Sequence, residues 1–260
     1  MINLFSYCFA GSEGFESLGS FVGIFFEAII IIGMIIILID LYRIYRVSKL
    51  SLTKQLLLTF IFLTLGIFFS WLAKWWLWKH GVSNYSGGYF IQLISTFKMS
   101  IVCAIMGMYF LKLFFTNLFA TDGAEASKNS LFIIRKVVEI IAVLTVHIPA
   151  FLLNSPEIGF ISDAIAFFIL FLDMLFLVPT ALRSIKKGKE DQMFGKKFIY
   201  IGLTALFIFN MAIMFLLDRI TMFLQIKGTF NELGYTIFYF TAWTSVLISL
   251  IFAVYGFIKR

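Results

Sequence analysis

The sequence has little charge for its length. Only 13% of its 260 residues are charged, whereas 61% are hydrophobic and 19% aromatic, and the mean hydropathy is +0.99. A soluble domain carries about 25% charged residues and roughly 45–50% apolar ones. A soluble core could not bury this much apolar surface, so the composition predicts that a lipid bilayer is the solvent.

Cysteine and histidine are scarce as well. The two cysteines, Cys8 and Cys103, cannot build a disulfide framework or a four-ligand metal site. A seven-helix zinc hydrolase needs about three ligands around one metal, typically several histidines, and this chain offers only His80 and His147. The sequence therefore predicts no metal and no cofactor.

Complete catalytic motifs are absent from the sequence. It contains no GxSxG elbow, no Walker loop and no paired DxxxD motif. A microbial rhodopsin needs a Schiff-base lysine in its last helix, and the last apolar stretch, 235–257, has none. An enzymatic activity is therefore uncertain and is not the leading interpretation.

Seven apolar stretches are long enough to cross a bilayer, which takes about 20 helical residues each. They lie near 21–42, 55–78, 89–118, 131–153, 159–182, 198–222 and 235–257. The stretches are continuous rather than alternating, which favours helices over barrel strands. The sequence predicts an all-α membrane protein, with a seven-helix transmembrane domain over 21–258 and an outside tail over 1–20. The first helix, rather than a removable signal peptide, is expected to direct insertion.

The basic residues predict the orientation of the bundle. Three lie on one side, at Lys79, Arg219 and Lys227. Fifteen lie on the other side: Arg43, Arg46, Lys49, Lys54, Lys128, Arg135, Lys136, Arg183, Lys186, Lys187, Lys189, Lys196, Lys197, Lys259 and Arg260. The positive-inside rule places the N-terminus outside and the C-terminus in the cytoplasm of a multi-pass cell-membrane protein. The net charge of +7 is thus explained by topology, and nucleic-acid binding is not expected.

Ionisable side chains within the predicted spans need a partner or a hydrated cavity, because each costs about 2.5–3.5 kcal/mol on insertion scales. Lys98 lies about ten residues, or roughly 15 Å, inside its span, which is long for snorkelling. We expect it to meet Glu27 or Asp163. The candidate ligand-binding residues are Glu27, Lys98, Asp163, Asn210, Asp218, Thr241 and Trp243. Structural ion pairs and interhelical hydrogen bonds explain the same residues equally well.

Other polar groups have local explanations. Glu139 follows Arg135 and Lys136 by four and three residues, which predicts a salt bridge on one helix face. Lys74 and Lys112 can snorkel from helix ends. The face Thr241, Ser245 and Ser249 is typical of interhelical hydrogen bonding. Pro149 and Pro179 are expected to kink their helices, and Asp173 is expected near the centre of the bilayer.

A basic segment resembles a known family. Residues 182–192 (LRSIKKGKEDQ), followed by 196–202 (KKFIYIG), are similar to the fifth loop of the seven-helix sensor region found at the N-terminus of many histidine kinases. Topology and size are similar too, but the chain ends without a kinase. The resemblance implies a stand-alone sensor or receptor-like module, and it transfers no ligand-binding residue.

The leading hypothesis is a seven-helix sensor that binds a small or lipidic ligand in an outward-facing polar cavity and signals to a separate cytoplasmic protein. The alternatives are a transporter or channel for a small solute or ion, an intramembrane enzyme acting on lipid, and a structural subunit. Asp163 and Asp173, ten residues apart on one helix, favour a proton or cation path in the transporter alternative. The sequence predicts the bilayer as a partner and leaves the oligomeric state open.

Overall fold

The computed structural model describes residues 15–80, 99–119, 130–153, 156–191, 194–226 and 237–258, with the side chains at several helix ends left out. Regular structure in these ranges is entirely helical. The helices are α1 (Phe15–Ser48), α2 (Ser51–His80), α3 (Met99–Phe119), α4 (Ser130–Leu153), α5 (Pro156–Met174), α6 (Leu177–Glu190), α7 (Gly195–Ile226) and α8 (Ile237–Ala253), which ends in a π-helical turn, Val254–Ile258. The predicted site residue Lys98 lies outside the described residues.

Six described segments are long and apolar enough to cross a membrane: Gly23–Ser48, Ser51–Trp75, Met99–Phe119, Ile161–Glu190, Gly195–Thr221 and Ile237–Ile258. The fourth of them joins α5 and α6 into one span. The prediction of apolar membrane-spanning helices is therefore confirmed. A further long helix, α4, coincides with the predicted span 131–153 and is not among the six.

The helices form a closed ring of neighbours. Along the ring, α1 packs on α2, α2 on α3, α3 on α5, α5 on α7, α7 on α8, and α8 on α1. Helix α4 packs on α3 and α5, and α6 packs on α7. A single apolar core runs through the middle of this arrangement. Polar side chains on the inner helix faces consequently meet one another rather than lipid.

Helix α1 shows how the sequence separates the core from the lipid. Its exposed face is a helical stripe of large apolar residues: Phe25, Ile29, Ile32, Ile36 and Ile39. Its buried face follows the same period: Glu27, Ile30, Met34, Ile37 and Leu41. Both faces are apolar, so hydropathy alone does not distinguish them. Glu27 is the one charged member of either stripe, and it lies on the face that meets α2 and α8.

Pro179 explains the break between α5 and α6. A proline ring clashes with the carbonyl four residues earlier, which here belongs to Leu175. The chain forms a turn at Leu175–Phe176, and the amide of Val178 contacts the Leu175 carbonyl at 3.3 Å instead of continuing an α-helical ladder. In contrast, α4 continues past Pro149 to Leu153.

Two glycines let α6 and α7 approach closely. A Cβ atom on Gly202 would lie 2.9 Å from the Ala181 carbonyl oxygen, and one on Gly188 would lie 2.6 Å from the Gly195 carbonyl oxygen. Both distances are shorter than the distance at which a Cβ atom normally approaches a backbone oxygen. The basic segment at the end of α6 is therefore held firmly against the start of α7.

Candidate functional site

A buried carboxylate on α1 is the centre of the first polar cluster. Glu27 has no exposed surface and forms an ion pair with Lys74 of α2. Its Oε1 atom also accepts hydrogen bonds from the Ser70 hydroxyl at 3.2 Å and the Tyr239 hydroxyl at 3.4 Å. These residues, together with Trp243 of α8, form what we call the Glu27 cluster. It joins the first two helices to the last one.

Two aromatic rings complete the surroundings of Lys74. Its Nζ atom lies 4.9 Å from the Tyr239 ring centroid and 5.4 Å from that of Trp243, within the range of cation–π attraction. The second oxygen of Glu27, Oε2, is buried and has no hydrogen-bond partner among the described residues. The Lys74 side chain is 17% exposed, so the cluster borders the surface on one side only.

A second group, the Asp163 cluster, joins α4, α5 and α7. His147 and Asp163 are both buried, and the imidazole Nε2 lies 3.1 Å from Asp163 Oδ1. Arg219 lies 3.8 Å from the other oxygen, Asp163 Oδ2. The same guanidinium lies 3.8 Å from Asp218 Oδ2 and is stacked over the Phe167 ring at 5.6 Å. Carboxylates of α5 and α7 thus lie beside an arginine of α7, and an imidazole of α4 contacts the first of them.

The two clusters are neighbours. Tyr239, which donates to Glu27, lies within electrostatic range of both Asp218 and Arg219. Apolar rings fill the space between them: Trp243 meets Phe215 edge to face at 5.2 Å, and Phe215 stacks on Phe167 at 5.7 Å. Charged groups from α1, α2, α5 and α7, the imidazole of α4 and aromatic rings of α5, α7 and α8 therefore lie at the end of the bundle where α1 begins. We call it the predicted outer end.

A third group, the Asp173 cluster, lies towards the other end of α4 and α5. Lys136 is buried and forms ion pairs with Asp173 and, at 2.6 Å, with Glu139. Arg135 pairs with Glu139 at 2.7 Å, which confirms the local salt bridge predicted for Glu139. Lys136, one of the fifteen basic residues assigned to the inner side, is buried inside α4 and faces α5.

Asn210 and the polar face of α8 form hydrogen bonds between α7 and α8 and within α8. Asn210 Nδ2 donates to Ser245 Oγ at 2.8 Å, an interhelical bond between α7 and α8. The hydroxyls of Thr241 and Ser245 donate to carbonyls one turn earlier on α8, and Ser249 donates to the Val246 carbonyl. Ser245 thus takes part in the interhelical hydrogen bonding predicted for this face, whereas the hydroxyls of Thr241 and Ser249 donate within α8.

The predicted site residues are thus only partly brought together. Glu27 and Trp243 share one cluster, and Asp163 and Asp218 share its neighbour. Asn210 and Thr241 bond elsewhere along α7 and α8. The candidate residues taken from the sequence omit four side chains that contact the buried carboxylates: Lys74, Lys136, His147 and Arg219.

The chemistry available here is that of charge and proton binding. Among the residues that the structure describes, no three His, Cys, Asp or Glu side chains come close enough to hold a metal ion. The comparison with protein-family models finds no match, and neither do the comparisons with curated proteins and with solved structures. Functional interpretation therefore depends on the geometry of the clusters.

Proposed function

We propose that this chain is a seven-helix sensor whose Glu27 and Asp163 clusters receive an outside signal, a small or lipidic ligand, and pass it to a separate cytoplasmic protein. The supporting observation is that charged groups from four helices and an imidazole from a fifth meet at one end of the bundle. A ligand that alters any of these ion pairs changes the contacts of several helices at once, and such a differential contact is what shifts a conformational equilibrium.

The proposal includes α4 as the seventh span. The pairs His147–Asp163 and Lys136–Asp173 run in opposite directions along α4 and α5, which is the register of antiparallel neighbours. The contacts cover eleven residues of α4, or about 16 Å at 1.5 Å per residue. A helix that follows a membrane-spanning neighbour over this length is best placed across the bilayer too, with its basic end inside.

Coupling between the two ends of the bundle tests the proposal. Val47 at the end of α1 and Lys189 near the end of α6 are exposed, so cysteines there, in a protein lacking Cys8 and Cys103, report the predicted inner end. Lys74→Met should change their labelling rates. Ile29→Ala, a lipid-facing change on α1, should leave them as they are. Equal rates in all three proteins would remove the support for a sensor.

A proton- or cation-coupled transporter is the second candidate. One observation favours it: Asp163 and Asp173 lie ten residues apart on α5, and both meet cationic or imidazole groups of α4. Between these levels, however, the helix faces carry the fully buried Val143 and Ala166 and the nearly buried Leu170, so an apolar layer separates the two acids. Transport would require this layer to open. Measurable solute or proton flux in proteoliposomes, abolished by Asp173→Asn, would put the transporter ahead.

A further inference from the structure

We propose that His147 and Asp163 form a proton-binding site, holding between them one proton more than a neutral imidazole and a carboxylate contain. The inference rests on the proposed function in one respect: occupancy of this site would be an input to the sensor. The proton itself would come from water at the predicted outer end.

The hydrogen-bond geometry of the imidazole carries the inference. His147 Nδ1 lies 2.8 Å from the backbone carbonyl oxygen of Val143, which can only accept, so Nδ1 bears a hydrogen. His147 Nε2 lies 3.1 Å from Asp163 Oδ1. A neutral imidazole protonated on Nδ1 would point the Nε2 lone pair at the carboxylate. A favourable contact there requires a proton, either on Nε2 or on the carboxyl oxygen.

Burial makes an unprotonated contact costly. His147 is 1% and Asp163 3% exposed, so water cannot readily separate two facing acceptors. A buried polar group without its hydrogen bond costs about 1–3 kcal/mol, and more when the group is charged. The site should therefore either keep its proton or change its structure when the proton leaves.

Charged groups of both signs lie around the His147–Asp163 pair. The groups facing this region are Asp163 of α5, Asp218 and Arg219 of α7, and, through Tyr239 of α8, Glu27 of α1 and Lys74 of α2. The other described charged groups of α3 and α4 lie at the Asp173 cluster: Lys112, Arg135, Lys136 and Glu139.

Loss of the proton predicts a movement. With Nε2 bare, Asp163 retains Arg219 as its cationic neighbour but repels the imidazole. The contact that ties α4 to α5 near the predicted outer end would then open. The α4 contact at Lys136 and Asp173 would remain, so α4 would tilt about its other end.

The protonation state can be read directly, because the chain has only two histidines. In the His80→Gln protein, ¹⁵N-labelled histidine reports His147 alone. Near pH 7 we expect both ring nitrogens to carry hydrogen. If Nε2 is bare, the proton can instead lie on Asp163. A carboxylic-acid infrared band that Asp163→Asn removes would show this, and it would also support the site. A bare Nε2 without that band overturns it.

Asp163→Asn supplies an internal control for the spectra. The asparagine amide can donate to a bare Nε2, so His147 should become neutral and protonated on Nδ1 only.

His147→Gln is the matched variant for movement, because its amide can still donate to Asp163 but does not titrate. Spin labels at Leu152 and Ile220, both exposed, should show a distance change on raising the pH in the otherwise unmodified protein and none in His147→Gln. A change that persists in His147→Gln would overturn the role of the pair in movement.

The two proposals can fail separately. If the spectra show the shared proton but inner-end labelling ignores Lys74→Met, the proton site stands and the sensor falls. If labelling responds to Lys74→Met while His147 carries one hydrogen and Asp163 is ionised, the sensor stands and the proton site falls.

Discussion

Lys74 and Glu27 form an ion pair between α1 and α2 in which the carboxylate is fully buried and the ammonium is only partly so. This asymmetry determines how each half of the pair responds to mutation. A carboxylate that loses its partner in a buried position retains the cost of desolvation, whereas a partly exposed ammonium can turn towards water.

Removing the Lys74 ammonium should therefore destabilise the protein more than removing the Glu27 carboxylate. Lys74→Met leaves Glu27 buried with only Ser70 and Tyr239 as donors, and we expect a loss of about 3 kcal/mol in the free energy of unfolding. The double variant Glu27→Leu/Lys74→Met should recover most of it. Unfolding in mixed detergent micelles containing SDS would measure both.

The exposed pair Lys186–Glu190, at 4.0 Å, is the control. Lys186→Met should cost less than about 0.5 kcal/mol, since surface ion pairs contribute little. A Lys74→Met protein as stable as the Lys186→Met protein would show that Glu27 is not buried as an anion.

The Asp173 cluster predicts a different asymmetry. Lys136→Met removes the cation from both Asp173 and Glu139, whereas Asp173→Asn leaves Lys136 paired with Glu139 at 2.6 Å. We expect about 3–5 kcal/mol for Lys136→Met and roughly 1–2 kcal/mol for Asp173→Asn. The same unfolding measurement compares the two, and the reverse order would contradict the pairing described for Lys136.

Apolar stretches were enough to predict helices, because a segment that crosses lipid must satisfy its own backbone. The depth of each charged residue inside its apolar stretch also indicates which residues can pair. Glu27 lies six residues inside the predicted span 21–42, and Lys74 lies four residues inside the same end of 55–78. The same holds for His147 in 131–153 and Asp163 in 159–182. Similar depth, within two residues, on consecutive antiparallel helices is a signal that could have assigned both pairs.

Rotation about each helix axis was the part that the sequence could not provide. Helix α1 is apolar on both faces, so its pattern does not say that Glu27 faces α2 and Tyr239 rather than another neighbour. Lys74 was interpreted as a snorkelling residue for the same reason. Arg219 was counted as an outside loop charge, although its contact with Asp163 depends on how α7 is turned against α5.

The close contact of α6 and α7 predicts a position that tolerates no side chain. Gly202→Ala places a methyl 2.9 Å from the Ala181 carbonyl oxygen, and backbone there cannot move aside easily. We expect a loss of about 1–3 kcal/mol from overpacking. Gly33→Ala is the control, because its methyl would meet only Leu250 Cδ1 at 3.6 Å and helical alanine is favoured over glycine. Equal effects of the two changes would argue against the packing of α6 on α7.

The orientation can be tested at three positions assigned to the inside. Cysteines at Ser51, Lys128 and Lys189, in a protein lacking Cys8 and Cys103, should react with an impermeant reagent only after the membrane is opened. The excess of basic residues near these positions is the physical reason. Reaction of any two of them in sealed, right-side-out vesicles would reverse the orientation.

The basic segment at the end of α6 and the start of α7 gives the last prediction. It contains Arg183, Lys186, Lys187, Lys189, Lys196 and Lys197 against Glu190 and Asp191. Lys187 Nζ already lies 4.7 Å from the Phe198 ring, whereas Lys186 and Lys189 extend from the exposed face of α6. Basic residues near an anionic surface contribute about 1 kcal/mol each. Lys186→Gln/Lys189→Gln should therefore reduce the retention of anionic lipid by the purified protein, as measured by mass spectrometry of co-extracted lipids.

A variant with the same six basic residues in shuffled order should retain that lipid, because attraction to lipid depends mainly on charge. Binding of an acidic signalling protein would depend on the order of the residues as well. Loss of a co-purified cytoplasmic protein in the shuffled variant, with lipid retained, would support the docking role that the sensor proposal needs; if gentle extraction of the unmodified protein yields no such partner, the transporter becomes the better interpretation.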